Sequence, residues 1–241
     1  MSRANHQMRS FRLEAFPSNA PGSVLVHCGE TKVLCTASYS TRLPGWMKDQ
    51  APEEARGWVT AEYAMLPGST LDRKKRGSDG RSSEIQRLIA RVLRGAVDLK
   101  GISGLMVHCD CDVIKADGGT RTTAISGAWV ALVMALQAAA QAGDSGDLSA
   151  AIPYQVAAVS AGIVDGQQYL DLDYNLDSRA QVDLNVAANS RPSYIEIQGT
   201  GEAGDCSRSE LNDLLDLADQ GIQQIFAIQR DFLQSMHIDW Q

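Results

Sequence analysis

The period of the apolar pattern changes several times along the chain, and each change marks an element. Two β-rich runs within Gly22–Ser38 flank a short turn centred on Gly29, which predicts a hairpin. A third strand is predicted over Trp58–Tyr63. Residues 41–56 hold two prolines and mixed charges and read as a loop. From Ser83 to Lys100 the spacing turns helical, with Ile85, Leu88, Ile89, Val92, Leu93 and Ala96 on one stripe. Ser83 and Gln86 make a candidate capping box for that helix. Arg87, Arg91 and Arg94 fall mostly off the stripe and read as a solvated face.

Leu105–Ile114 alternates as a strand, with Leu105, Val107, Cys109, Cys111 and Val113 on one side. Ala124–Ala142 is apolar nearly all round, which predicts a buried helix. After the linker candidate Gly143–Asp147 the pattern returns to strands. Val156–Val164 and Gln168–Tyr174 flank Asp165-Gly166, a strong hairpin signal. Val182–Ala187 and Tyr194–Gln198 read as a further pair. A last helix is predicted from about Ser209 to Met236, capped by Ser207 and Glu210, burying Leu211, Leu214, Leu215, Ala218, Ile222, Ile225, Phe226 and Ile228. The order defines an α+β fold of two similar-sized halves, residues 1–143 and 150–241, in one compact unit.

Composition narrows the class. The 241 residues are 44% hydrophobic and 21% charged, a globular composition. No apolar run approaches the roughly 20 residues that span a bilayer, and the N-terminus has no signal-peptide core, so the expectation is a cytoplasmic protein without a membrane partner. The five cysteines are odd in number. Cys109 and Cys111 stand one residue apart beside His108, closer than the usual zinc spacing, and read as small residues of a buried strand. The net charge of -7 argues against a surface that coats nucleic acid generally. The basic residues are concentrated instead, in Arg73-Lys-Lys-Arg76 and then Arg81, Arg87, Arg91 and Arg94, while aspartates crowd the second half.

Two stretches carry candidate chemistry. In Lys115-Ala-Asp-Gly-Gly-Thr-Arg-Thr122, Gly118 and Gly119 precede a helix start. Glycines let backbone N–H groups close on an anion, and a helix N-terminus supplies free donors and a favourable dipole. Thr120 adds a hydroxyl and Arg121 a guanidinium fork suited to phosphate. The loop matches neither the Walker nor the dinucleotide glycine pattern. Arg81, just before the Ser83 helix, is a candidate second cation. In the aspartate-rich stretch 171–183, Asp183 stands inside a strand-like run, where a carboxylate is disfavoured unless exposed or functional. Asp177 and Asp183 suit a Mg²⁺ that keeps most of its waters; an exposed acidic edge is the bland alternative.

Taken together, Gly22–Val26, Thr31–Ser38, Gly57–Leu66, Ser83–Arg91, Asp112–Thr122 and Ile195–Thr200 resemble the ribonuclease PH family, in order and over nearly the whole chain. The resemblance implies two βαβα-type halves of ribosomal protein S5 domain 2-like fold, assembled as a homo-hexamer, a trimer of dimers. It implies a phosphate-dependent 3′→5′ exoribonuclease that trims the 3′ ends of transfer-RNA precursors and, in reverse, adds nucleotides. By motif, Arg81, Gly119, Thr120 and Arg121 would hold inorganic phosphate, Asp177 and Asp183 would bind Mg²⁺ and act in catalysis, and Arg73 and Arg76 would hold transfer RNA. Which aspartate would act as general acid and which as metal ligand is left open. The chain departs from the family at Gly68, where an arginine is usual, in a shorter loop 71–80, in a longer loop 41–56, and loosely over Arg3–Arg12. A non-catalytic RNA-binding ring subunit and a small-metabolite kinase are the rival classes. The intact phosphate and aspartate sets argue against the first, and the lack of a longer nucleotide loop against the second.

Overall fold

The structure, a computed structural model, describes residues 3–47, 54–77, 79–201 and 203–240. Parts of the two loops singled out above, residues 48–53 and Ser78, therefore lie outside the described residues. Strands β2 (Gly22–Cys28) and β3 (Thr31–Ser40) form the expected hairpin about Gly29. Strand β1 (Phe11–Ala15), absent from the sequence reading, pairs with β2 at the sheet edge and buries only Leu13. So short a run with one inward residue carries little periodic signal. Strand β4 (Trp58–Met65) is longer than predicted and runs parallel to β5 (Met106–Lys115). The five strands order as β1-β2-β3-β5-β4.

Helix α1 (Gly80–Arg94) crosses between the parallel strands and corrects the sequence reading at both ends. Its N-cap is Asp79, whose side chain accepts from Ser82 N at 2.7 Å, so Ser83 and Gln86 are interior and form no capping box. An extended aspartate before a glycine is a strong cap, worth about 1 kcal/mol. The helix stops at Gly95, where the N–H turns back to Arg91 O and Val92 O. The apolar stripe runs past that stop because Ala96 and Val97 stay buried in the following turn.

Helix α2 (Thr120–Ala142) is the centre of the molecule. It begins four residues before its apolar run: Thr120 and Arg121 line a cleft, while Thr122 and Thr123 are buried with their hydroxyls donating back to Gly119 O. On one side Gly127 touches the larger sheet so closely that an added Cβ would sit 2.3 Å from Val26 Cγ2. On the other, the Ser126 hydroxyl accepts from Ala158 N at 3.0 Å in the smaller sheet. Among the described residues α2 is the one helix long and apolar enough to cross a bilayer, which corrects the expectation that no run approaches that length; 78% of its most apolar window is buried inside the fold.

A short helix α3 (Leu148–Ala151) leads into the second sheet, ordered β7-β6-β8-β9 and antiparallel throughout. Strands β6 (Val156–Val164) and β7 (Gln167–Leu170) turn at Asp165 and Gly166, both at positive φ, as the Asp-Gly signal requires. Strand β7 is shorter than predicted. Asp171 takes a φ of 57°, and Asp173 then caps helix α4 (Tyr174–Asp177) by accepting from Leu176 N. Strands β8 (Val182–Asn189) and β9 (Ser193–Gly201) follow. Helix α5 (Arg208–Ser235) has the expected Ser207–Glu210 capping box and packs Leu214, Ala218, Ile222 and Phe226 against Val159, Ala161 and Val186. Strand β6 is thus buried on both faces, by α5 on one and α2 on the other.

Candidate active site

The glycine loop between β5 and α2 is built to lie against another piece of backbone. Gly118 and Gly119 have φ values of 73° and 62°, in the left-handed region that glycine tolerates. A Cβ on Gly118 would meet Leu172 O at 2.5 Å, so the loop and the segment Asp171–Tyr174 touch only because no side chain intervenes. Thr31 fastens the loop from the hairpin side: its hydroxyl donates to Gly118 O at 2.7 Å and accepts from Asp117 N at 2.9 Å. Gly119 then caps α2 without any side-chain hydrogen bond to the first turn.

Beneath the loop lies a buried ion pair that spacing along the chain did not reveal. Arg9 donates to Asp171 through Nη2 at 2.6 Å and Nε at 2.9 Å, and its backbone N–H adds a third bond at 2.8 Å. The same guanidinium donates to Asp117 O and, at 3.3 Å, to Leu172 O. Arg3 reaches Asp171 O at 2.8 Å. One arginine therefore joins the glycine loop to the segment that leads into α4. Burial pushes the Asp171 carboxyl up, but the Arg9 bonds outweigh it and leave it below its ordinary value. The adjoining Cys28 thiol is pushed up to about 12 by burial and by Asp171, which keeps it protonated at neutral pH.

Above the loop opens a cleft of about 340 Å³. Arg81, at the start of α1, and Gly119, Thr120 and Arg121, at the start of α2, all line it. The two arginines named from the sequence thus face one cavity. Tyr63 of β4 donates to Thr120 Oγ1 at 2.8 Å, and burial raises its phenol above its ordinary value, so it stays a neutral donor. Arg121 Nη1 donates to Gln198 Oε1 at 2.5 Å, and Gln198 Nε2 donates to Glu84 Oε1 at 2.7 Å. The arginine is steadied by a neutral amide, and no carboxylate forms an ion pair with it among the described residues.

The opposite wall is acidic. Asp177 ends α4 and Asp183 lies on β8, and both line the same cleft. β8 is an inner strand, flanked by β6 and β9, so the reading of an exposed acidic edge does not hold for Asp183. Asn185 follows two residues later on the same strand face, donates to Asp183 Oδ2 at 3.1 Å, and also lines the cleft. Ser178 and Ser160 complete that wall. Strand periodicity was a usable signal for Asn185; Arg9, Asp171, Tyr63 and Gln198 depend on contacts far apart in sequence.

The basic run is placed differently. Arg73 and Arg76 are exposed on the loop before α1 and do not line the cleft, whereas Lys74 and Thr70 do. Gly68 leaves open space where the family's arginine would stand. Cys109 and Cys111 are buried in β5, as small residues of a core strand.

A mixed fold of two sheets about one buried helix is shared with solved structures, and the sequence itself matches a known family. The chain belongs to the 3′ exoribonuclease family: residues 7–136 match the family model for domain 1 and residues 154–221 that for domain 2. It is 48% identical over 240 residues to ribonuclease PH of Mycobacterium sp. (strain KMS), covering 96% of this chain and 89% of the relative. It is 47% identical over 234 residues to ribonuclease PH of Corynebacterium glutamicum (strain R), covering 95% and 93%. Among solved structures, rice (Oryza sativa) Rrp46 superposes with a TM-score of 0.76 at 18% identity, covering 96% of this chain and 98% of that one. The Archaeoglobus fulgidus exosome with RNA bound to the active site gives 0.76 at 20% identity, over 93% and 90%. These two similarities establish the shared fold.

Proposed function

We propose that the protein is a phosphorolytic 3′→5′ exoribonuclease that trims the 3′ ends of transfer-RNA precursors. One observation carries the reading: Arg81, Thr120, Arg121, Asp177 and Asp183 open into a single cleft. Orthophosphate binds at the α2 N-terminus, held by the two guanidinium groups, the Thr120 hydroxyl and backbone N–H groups at Gly119. There it is positioned to attack the phosphorus of the last RNA linkage. The bond from phosphorus to the 3′ oxygen of the penultimate nucleotide breaks, that oxygen takes a proton from whichever of Asp177 and Asp183 serves as general acid rather than as metal ligand, and a nucleoside 5′-diphosphate departs. The reaction exchanges one phosphate ester for another, so excess diphosphate drives nucleotide addition.

Two anions must meet, so catalysis is chiefly positioning and charge stabilisation. Asp177 and Asp183, with the side-chain oxygens of Asn185 and Ser178 nearby, form an all-oxygen donor set that suits Mg²⁺, which takes one or two carboxylates plus substrate phosphates. Mg²⁺ bound there would neutralise charge on the scissile group. Lys74 inside the cleft, with Arg73 and Arg76 on the exposed loop, would guide the RNA backbone. From the family resemblance we infer a homo-oligomer, a hexamer of three dimers; two neighbours of the same fold are exosome assemblies by name.

The test is to incubate the protein with RNA and Mg²⁺, with and without phosphate, and identify the products. Nucleoside diphosphates released only with phosphate are expected; monophosphates would contradict the proposal. Arg121→Ala should lower kcat/KM for phosphate by about 30- to 150-fold, equivalent to about 2–3 kcal/mol for a charge-assisted contact, while RNA still binds. Equal loss of RNA binding would show that Arg121 has another role.

A further inference from the structure

Helix α1 carries more positive charge than the cleft uses. Arg87, Arg91 and Arg94 follow at helical spacing and share one face. With strand β4, the last strand of its sheet, that face borders an open groove of about 580 Å³. At its far end the Arg94 guanidinium lies over the Trp58 ring at 4.6 Å, and Arg56 lies at 5.7 Å from the same ring. Trp46 meets Trp58 edge-on at 5.2 Å and is itself 62% exposed. The solvated face expected of these arginines is thus an organised cationic and aromatic surface.

Carboxylates are sparse along the α1 row among the described residues, and Arg94 Nη1 donates instead to Val59 O at 2.9 Å. Glu196 approaches Arg91 at 3.5 Å, the one ion pair found on this row among the described residues. Burial and the neighbouring Arg91 both draw the Arg94 guanidinium below its ordinary range. Like charges crowded together on a protein of net charge -7 are relieved when an anion joins them. The groove also adjoins the cleft. Gln86 on its wall donates to Tyr63 O at 3.5 Å, and Tyr63 donates to Thr120.

We propose that this groove holds the RNA strand upstream of its 3′ end, with backbone phosphates on Arg87, Arg91 and Arg94 and a base stacked on Trp46. Single strands are gripped where a basic track adjoins an aromatic platform, whatever their sequence. The helix from Arg87 to Arg94 is about 10 Å long, the span of about three stacked nucleotides. An acidic face of a second copy would satisfy the arginines, but a nucleobase also matches the flat exposed indole.

The inference rests on RNA being the substrate, and binding is measured apart from turnover so that the two readings fail separately. RNAs of about twelve and about three nucleotides are titrated at several salt concentrations against the wild type, Arg87→Glu, Arg87→Gln/Arg91→Gln and Trp46→Ala. Arg87 and Trp46 are exposed, so their variants should fold; Arg94, stacked on Trp58, is left intact. The longer RNA should bind about tenfold more weakly to each variant, with a smaller loss for the short one. For the arginine variants its salt slope should become shallower by about 0.7 per lost phosphate contact. Long-RNA affinity and salt slope equal to wild type in all three variants would overturn the proposal. So would dissociation of the oligomer with RNA affinity per subunit intact, which would make the groove a contact between copies. If the wild type phosphorolyses RNA and the groove variants bind it normally, only the groove reading fails. If the wild type releases no diphosphates, the substrate reading fails.

Discussion

Asp171→Asn is the sharpest perturbation of the site's foundation. It keeps side-chain size, removes the charge and replaces an acceptor oxygen with an amide. Arg9, with a side chain only 8% exposed, then loses its carboxylate partner. Removing one member of a buried pair destabilises by about 3–5 kcal/mol. The remaining acceptors at Asp117 O and Leu172 O, and the Asp117 carboxylate at 3.8 Å, place the expected loss at the low end, about 3 kcal/mol. For a chain of this size that lowers Tm by about 6–12 °C. The pH dependence has a definite sign. The Asp171 carboxyl is held below its ordinary value, so its contribution is present above about pH 4 and is lost as pH falls through the depressed folded value. The Tm gap between wild type and variant should therefore be full at neutral pH and shrink in acid. Because the pair joins the glycine loop to the segment before Asp177, the variant should also raise KM for phosphate and lower kcat at temperatures where it is folded. Replacing both partners with apolar residues should restore stability more than activity. An unchanged Tm with unchanged phosphate KM would refute the reasoning, as would a Tm gap that persists undiminished at pH 3.

Other substitutions test neighbouring parts. Gly118→Ala forces a Cβ into Leu172 O at a φ of 73°, so a loss of about 2–3 kcal/mol and of most activity is expected from melting and turnover assays. Tyr63→Phe removes the donor to Thr120 and should weaken phosphate binding by about three- to tenfold, about 1 kcal/mol, with RNA affinity retained. Asp79→Ala should cost about 1 kcal/mol in denaturant unfolding, and Ser83→Ala much less, because Asp79 is the cap.

Legibility in the sequence followed the range of the interaction. The Asp165-Gly166 turn, the Ser207–Glu210 box and the buried α2 are local or periodic features, and the structure has all three. The start of α1 was misplaced because the Ser83–Gln86 spacing mimics a capping box, whereas the side chain that caps the helix is Asp79, four residues earlier. The start of α2 lay outside its apolar run because Thr120 and Arg121 face the cleft. Arg81, Gly119, Thr120, Arg121, Asp177 and Asp183 were legible as motifs, and the structure brings them to one cavity. Arg9 and Asp171 are 162 residues apart, and only folding makes them a pair. Within the basic run, loop geometry turns Lys74 into the cleft and leaves Arg73 and Arg76 outside it, a distinction composition does not carry.

The central claim, that free orthophosphate captured between Arg81 and Arg121 is the nucleophile, is tested most directly by isotope. RNA is digested in isotopically labelled orthophosphate, and the released nucleotides are examined by mass spectrometry. The label should appear in the terminal phosphate of nucleoside diphosphates, at a rate that collapses in Arg81→Ala and Arg121→Ala. Unlabelled monophosphates, or labelled diphosphates formed at full rate by both variants, would contradict it.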